Sequence, residues 1–267
     1  MSLYTNRSTL SLIHMTEEMF RKKIELSRII KTSALLILSG VSQNCIDECI
    51  VKACINSQFD DGGFAGNTDT IWSVCLLQQY KVYAQQVDSA IKWLKENSCE
   101  EGGFGRTKRD MPRIPVTGLA LYLLPQIVQE KHLRWLEQTW LQEKNSLTYK
   151  AAYTLMAFSK NRFIPENKTL IDCTNDWLAG QQEDNGGYAP WRNHPAGPNI
   201  YCTSIGTLGL LSYNSNRYSN QIIKAYDYMK NTQLPSGIWP YHEIEDGCSW
   251  GLYAMSKIEE NFEGLYE

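Results

Sequence analysis

The chain has 267 residues, 43% hydrophobic and 21% charged, with a formal net charge of -3. That length and apolar content allow one large buried core, and the near-neutral balance gives no electrostatic reason to expect a nucleic-acid partner. No run of about 18 apolar residues occurs and the N-terminus lacks a signal-peptide pattern, so a soluble, cytoplasmic protein without a transmembrane segment is expected.

Apolar residues at helical spacing (Met19, Ile24, Ile29, Ile30, Leu35, Leu36) predict a first helix over 17–39 and leave 1–16 as an N-terminal arm. Further helices are predicted over 44–57, 69–81, 86–97, 115–128, 130–143, 147–159, 167–182, 201–213, 217–232 and 247–259. No stretch shows sustained strand alternation. Two kinds of helix alternate along the chain. One is amphipathic, as around Trp93 and Trp135; the other is apolar on nearly every side, as over 117–124 and 203–211. A helix without a polar face is buried, so the alternation suits two concentric rings.

Between the helices one phrase returns four times. Gln58, Ser98, Gln182 and Gln233 each stand four residues before a glycine (Gly62, Gly102, Gly186, Gly237), and an aromatic follows two residues later (Phe64, Phe104, Tyr188, Trp239). The glycines are 40, 84 and 51 residues apart, so the middle gap hides one degenerate unit near Trp135 to Lys150. Glycine supplies the turn that ends a helix, the Gln amide can bond loop backbone, and the aromatic fills the groove between repeats. The expected architecture is all-α: a single α/α toroid over 1–267, with about six inner and five outer helices and a repeat region of about 50–259.

This repeat resembles the one shared by squalene and terpene cyclases and the β-subunits of protein prenyltransferases. The resemblance implies an α/α toroid whose inner-helix N-termini meet at one mouth of a central cavity. It also implies an isoprenoid or similarly apolar substrate and, for prenyltransferase-like chains, a partner protein subunit. Aligning the inner helices on their first turns superposes Thr70, Thr117, Lys150, Thr203 and Ser249, preceded by Asp69, Val116, Tyr149, Cys202 and Cys248. Class II terpene cyclases carry Asp-x-Asp-Asp-Thr at this place, with the middle Asp as acid. Here the matching segment, Arg113 to Gly118, holds no aspartate. A cyclising acid is therefore sought among Asp69, Glu243, Glu245 and Asp246. The plainer reading of Asp69 is a helix cap, and of the other three a solvated loop.

Aromatic residues near the mouth (Trp72, Tyr149, Trp191, Tyr201, Trp239, Tyr241, Trp250) would bind an apolar substrate and stabilise a carbocation. Arg113, with Arg106, Lys108 and Arg109, forms a basic loop that could hold a diphosphate or carboxylate. The first reading is thus a terpene-cyclase-like enzyme that cyclises or isomerises its substrate without a cofactor. A second reading is zinc chemistry at Cys202, Cys248 and a histidine, His242 or His194, as the resemblance to lanthionine cyclases and prenyltransferases implies; Cys₂His with an open position would activate a thiol or water. A third is a non-catalytic toroid that binds an apolar ligand or peptide. The eight cysteines otherwise fit as reduced thiols: several fall inside helical patterns as small hydrophobes, and no Cys-x-x-Cys pair occurs.

Overall fold

The computed structural model describes residues 2–213 and 215–262. Among these residues there are twelve α-helices and no strands. They are α1 (Leu3–Arg21), α2 (Leu26–Leu38), α3 (Glu48–Asn56), α4 (Asn67–Leu77), α5 (Ala84–Glu96), α6 (Ile114–Leu123), α7 (Glu130–Glu143), α8 (Thr148–Lys160), α9 (Leu170–Gly180), α10 (Ile200–Leu211), α11 (Ser219–Thr232) and α12 (Ile244–Asn261). The even-numbered helices pack in order, and α12 returns to α2, closing a ring. The odd-numbered helices pack on the outside of that ring; α1, for example, spans α12 and α2. The architecture is an α/α toroid. No helix among the described residues is long and apolar enough to cross a membrane.

The repeated phrase is a docking device. Gln58 Nε2 donates to the carbonyl of its own Gly62 and to Gln86 O at the start of the next outer helix, at 2.8 and 2.9 Å. Gln182 does the same with Gly186 and Gln221. The loop glycines have positive φ, and a Cβ on any of them would meet the backbone of the next outer helix: Ser89 O for Gly62, Lys131 O for Gly102, Lys224 O for Gly186. The second glycine lies under an aromatic of that same helix, Trp93 over Gly63, Trp135 over Gly103 and Tyr228 over Gly187. Each loop thereby fastens one repeat to the next.

The fourth loop explains the main departure from the sequence reading. Gln233 Nε2 donates to Tyr4 O and to Ser8 Oγ, and Ser8 Oγ donates to Gly237 O at 2.6 Å. The next outer helix is therefore α1, at the other end of the chain. The segment expected as an arm, 1–16, is helical from Leu3, and the helix expected over 17–39 is two helices parted at Lys22–Glu25, with Lys23 at φ 54°. Six helices, not five, form the outer layer. The side chains that α1 buries are mostly small and polar (Thr5, Ser8, Thr9, Leu12, Thr16, Met19), so its inward face carries no apolar stripe. Its start is held by the buried Glu259 of α12, which accepts from Ser2 N at 3.0 Å and Thr5 Oγ1 at 3.3 Å, while Tyr226 supplies a third donor.

Gly237→Ala would place a Cβ 2.7 Å from Arg7 O at φ 83°. Alanine at such a φ is strained in addition to the clash, so the variant should lose about 2 kcal/mol or more in urea unfolding, with faster proteolysis of α1. A second prediction concerns His132, fully buried against Phe104. Its Nδ1 accepts from Gln129 N, and burial pushes its pKa from 6.5 down to about 4. The fold prefers the neutral ring, so its stabilising contribution is complete above pH 6.5 and is lost as pH falls from 6.5 toward 4. Unfolding free energy should drop by about 2 kcal/mol between pH 7 and 5, and His132→Asn should flatten that slope.

Candidate functional site

Side chains from all six inner helices meet inside the ring. Trp72 of α4 packs edge-on to Trp250 of α12, with centroids 5.9 Å apart; Tyr153 of α8 meets Trp250 at 6.3 Å. The Tyr122 hydroxyl of α6 lies 2.6 Å from that of Tyr253 on α12, and the hydroxyls of Tyr153 and Tyr201 (α10) are 3.1 Å apart. The Trp72–Trp250, Tyr153–Trp250 and Tyr122–Tyr253 pairs join helices that are not neighbours in the ring, so these contacts lie on its axis; Tyr153–Tyr201 links the adjacent α8 and α10. α2 contributes Lys31, whose ammonium sits 5.6 Å from the Trp72 ring centre and 2.5 Å from the Asp246 carboxylate.

The axis is filled at this level. Trp72 is 2% exposed and Trp250 0%, which leaves no room for a water beside the latter. The two rings expected to line a cavity are the packing that occupies it, and both indole N–H groups lack a hydrogen-bond partner among the described residues. A cavity of about 500 Å³ at the mouth, between the starts of α6 and α8, is bounded by Arg106, Arg113, Lys150, Tyr149, Tyr201 and Tyr241, among others. Tyr201 and Tyr241 stack at 5.9 Å with an interplanar angle of 15°. Burial raises the pKa of Tyr149, Tyr153, Tyr201 and Tyr241, and the charge of Asp246 adds to the rise for the last three, so the phenols stay protonated. Lys150 heads α8 paired to Glu143, whereas the side chains of Arg106 and Arg113 make no ion pair or hydrogen bond among the described residues.

The four candidate carboxylates are separated. Asp246 lies on the axis. Glu245 is buried and paired to Arg28 of α2. Glu243 is exposed. Asp69 points away from the axis into a cleft of about 300 Å³ between α2 and α4, where burial and the charge of Glu25 raise its pKa. Trp191 is 44% exposed against His194 on an outer loop, and Trp239 is a fully buried seal whose Nε1 donates to Met229 O. Neither borders the mouth cavity.

The cysteine pairing expected from the sequence does not hold. Phe64 N, Phe104 N and Tyr188 N donate to Thr70, Thr117 and Thr203 Oγ1, and in the last repeat Trp239 N reaches Cys248 Sγ at 3.1 Å. Cys248, not Ser249, is the residue equivalent to those threonines, so Cys202 and Cys248 are not equivalent positions. The first-turn match of Lys150 slips as well: Thr148 N bonds Pro190 O as Asn67 N bonds Arg106 O, which makes Ala151 the counterpart of Thr70. Burial raises the thiol pKa of Cys202 to about 11 and of Cys248 to about 12. His242 is exposed, and among the described residues no three His, Cys, Asp or Glu side chains come together to hold a metal ion. With the register corrected, Trp72, Tyr153 and Trp250 fall at one position, two residues beyond Thr70, Ala151 and Cys248; the sequence reading missed Tyr153 through that slip. It missed Lys31 because α2 has no glycine loop before it to align.

A closed ring of six helix pairs with its side-chain chemistry at one mouth defines the class as an α/α toroid. A family model, the prenyltransferase alpha-alpha toroid domain, matches residues 70–146 and 128–249. The chain belongs to that family. Solved structures share the fold at low identity. Type II terpene cyclase MstE from Scytonema superposes with a TM-score of 0.75 at 12% identity, over 97% of this chain and 99% of that one. ent-Copalyl diphosphate synthase from Streptomyces platensis gives 0.66 at 13% identity, over 86% of this chain and 50% of that one. A glycosyl hydrolase family 88 protein from Bacteroides vulgatus gives 0.59 at 13%, over 95% and 99%. A sequence search of curated proteins finds no match.

The Lys31–Asp246 pair is largely shielded, with side-chain exposures of 26% and 15%. A double-mutant cycle of Lys31→Met and Asp246→Asn in urea should give a coupling of about 1–3 kcal/mol. A value near zero would class it with ordinary surface pairs.

Proposed function

We propose that the protein is a terpene-cyclase-like enzyme that cyclises or isomerises an isoprenoid or similarly apolar substrate at the mouth of its ring. The observation that carries this reading is the mouth cavity, in which stacked tyrosines adjoin two guanidinium groups that are unpaired among the described residues; Asp246 does not border this cavity, but its charge acts on Tyr201 and Tyr241. About 500 Å³ lies within the range of small-molecule sites. An anionic head would sit at Arg113 and Arg106, where a planar guanidinium matches a carboxylate or phosphate, and the hydrocarbon would run over Tyr149, Tyr201 and Tyr241. The ring faces would stabilise a developing cation. With an allylic diphosphate as substrate, the cation would form as the C–O bond breaks and the diphosphate leaves, held by Arg113 and Arg106, and Asp246, as the anion of its ion pair with Lys31, would accept the proton released when that cation collapses to an alkene.

Two comparisons support the substrate class by analogy. A variant of MstE has been solved in complex with geranylgeranyl dihydroxybenzoate as substrate, and another with merosterolic acid A as product. Both apolar chain and acidic head of the former have counterparts in the mouth described above.

The test is incubation of the purified protein with geranyl-, farnesyl- and geranylgeranyl-bearing diphosphates and aromatic acids, with products identified by mass spectrometry and NMR. Asp246→Asn should lower kcat by about a hundredfold or more, and Arg113→Ala should raise KM about tenfold. A filled axis also favours a toroid that binds without turning over. Saturable binding of these compounds with no product from any of them would establish that second reading and end the first.

A further inference from the structure

The flank of α2 that faces α4 differs from the flank that faces α12. On the α12 side Arg28 pairs with Glu245 and Lys31 with Asp246. Both cations near the start of α2 are thereby committed to α12. On the α4 side the charges are carboxylates, Glu25 at the N-cap of α2 and Asp69 in the first turn of α4. Beside Asp69 opens the cleft of about 300 Å³, walled by Leu26, Ile30, Phe59 and Phe64, with the exposed Glu25 outside its lining. Asp69 forms part of that wall. Among the described residues no Lys, Arg or His lies within ion-pair distance of it, and its carboxylate takes no side-chain hydrogen bond. The Arg106 backbone passes beside it, but the Arg106 side chain belongs to the mouth cavity. Phe59 stands 58% exposed at the rim.

An apolar cavity with one unpaired, partly desolvated carboxylate lacks its complement. Water compensates such a group poorly, as the raised pKa of Asp69 reflects, with burial as the first cause and Glu25 as the second. A cation would relieve both causes together. We infer that this cleft is a second binding site, separate from the ring mouth, for a small organic cation: a primary ammonium carried on an apolar, ring-sized body. The ammonium would sit beside Asp69, donating to its carboxylate, and the apolar body would pack on Phe59, Phe64 and Ile30. The volume limits the body to about one ring. This site does not depend on isoprenoid turnover at the mouth.

The experiment uses the full chain and phenethylammonium as probe, followed by ¹H–¹⁵N NMR titration and calorimetry, with 2-phenylethanol as the neutral isostere. Phenethylammonium should bind saturably, shift the Phe64–Thr70 amides, and bind at least about tenfold tighter than the alcohol. Asp69→Asn should remove that preference while keeping helix content, because asparagine also serves a helix start. Glu25→Gln should weaken the ammonium several-fold and leave the alcohol unchanged, and Phe59→Ala should weaken both. If Asp69→Asn fails to fold, the Glu25→Gln and alcohol comparisons decide alone. Equal binding of ammonium and alcohol, shifts confined to the mouth residues, or no saturable binding up to about 10 mM would each overturn the inference.

Discussion

The ring depends on one contact: a loop glycine pressed against the first turns of the next outer helix, reinforced at Gln58, Gln182 and Gln233 by a side-chain amide that bonds both, while at Gly102 the glycine contact stands without it. The approach is possible only without a Cβ, since at Gly186 the added carbon would lie 2.3 Å from Lys224 O. The Gln amide makes the contact polar and directional, donating to the loop glycine carbonyl and to a first-turn carbonyl of the next outer helix. Repetition of this joint sets a constant step between repeats, and a constant step closes a ring. Where the joint is missing, after α7, the chain substitutes other links. Trp140 of α7 donates to Thr174 of α9 and packs edge-on to Trp177, while the bonds from Thr148 to Ala189 and Pro190 repeat the link that Asn67 makes to Gly105 and Arg106.

Closure brings the inner helices together with little space between them. Gly118 lies against the Tyr153 backbone and Gly209 against Ala152, so α6, α8 and α10 meet through their smallest residues. Such close approach narrows the axis enough for a few large rings to fill it. Trp72, Tyr153, Trp250 and Tyr253 do so, and their edge-to-face contacts are the favourable geometry for aromatic pairs. The two unpartnered indole N–H groups are a cost of that arrangement. The interior therefore acts as a plug, and a cavity remains at the mouth.

How legible this was in the sequence varied with the physics behind each element. The inner helices were readable because burial on every side leaves no polar face to obscure the period, and the glycine loops because their contact demands one residue type. Helix α1 was not readable as an outer helix. It buries threonine and serine whose hydroxyls bond backbone and Glu259, and the hydrophobic pattern on which the reading relied is weak there. The Cys248 slip has a similar origin. A thiol performs the task of the threonine hydroxyl at Trp239 N, and residue type alone suggested Ser249 as the match. The mouth residues Tyr149, Tyr201, Tyr241 and Arg113 were found from their place before inner helices. Which carboxylate reaches the axis was not, because Asp69 and Asp246 differ in helix face by one position, a distinction that only the correct register reveals.

That one-residue difference separates two kinds of site in the same ring. The position two before the threonine holds Tyr149, Tyr201 and Asp246, whereas the position one before it holds Asp69, which borders the α2–α4 cleft, and Lys150, which borders the mouth cavity from the α6–α8 side. Charge placed at the first position is shared by the whole mouth, as the influence of Asp246 on Tyr153, Tyr201 and Tyr241 shows. Charge placed at the second belongs to a single seam and must find its partner there. Lys150 has found one in Glu143. Asp69 has not, because α2 directs both cations to α12, and the same choice that closes the ring with two ion pairs leaves the seam on its other side negative.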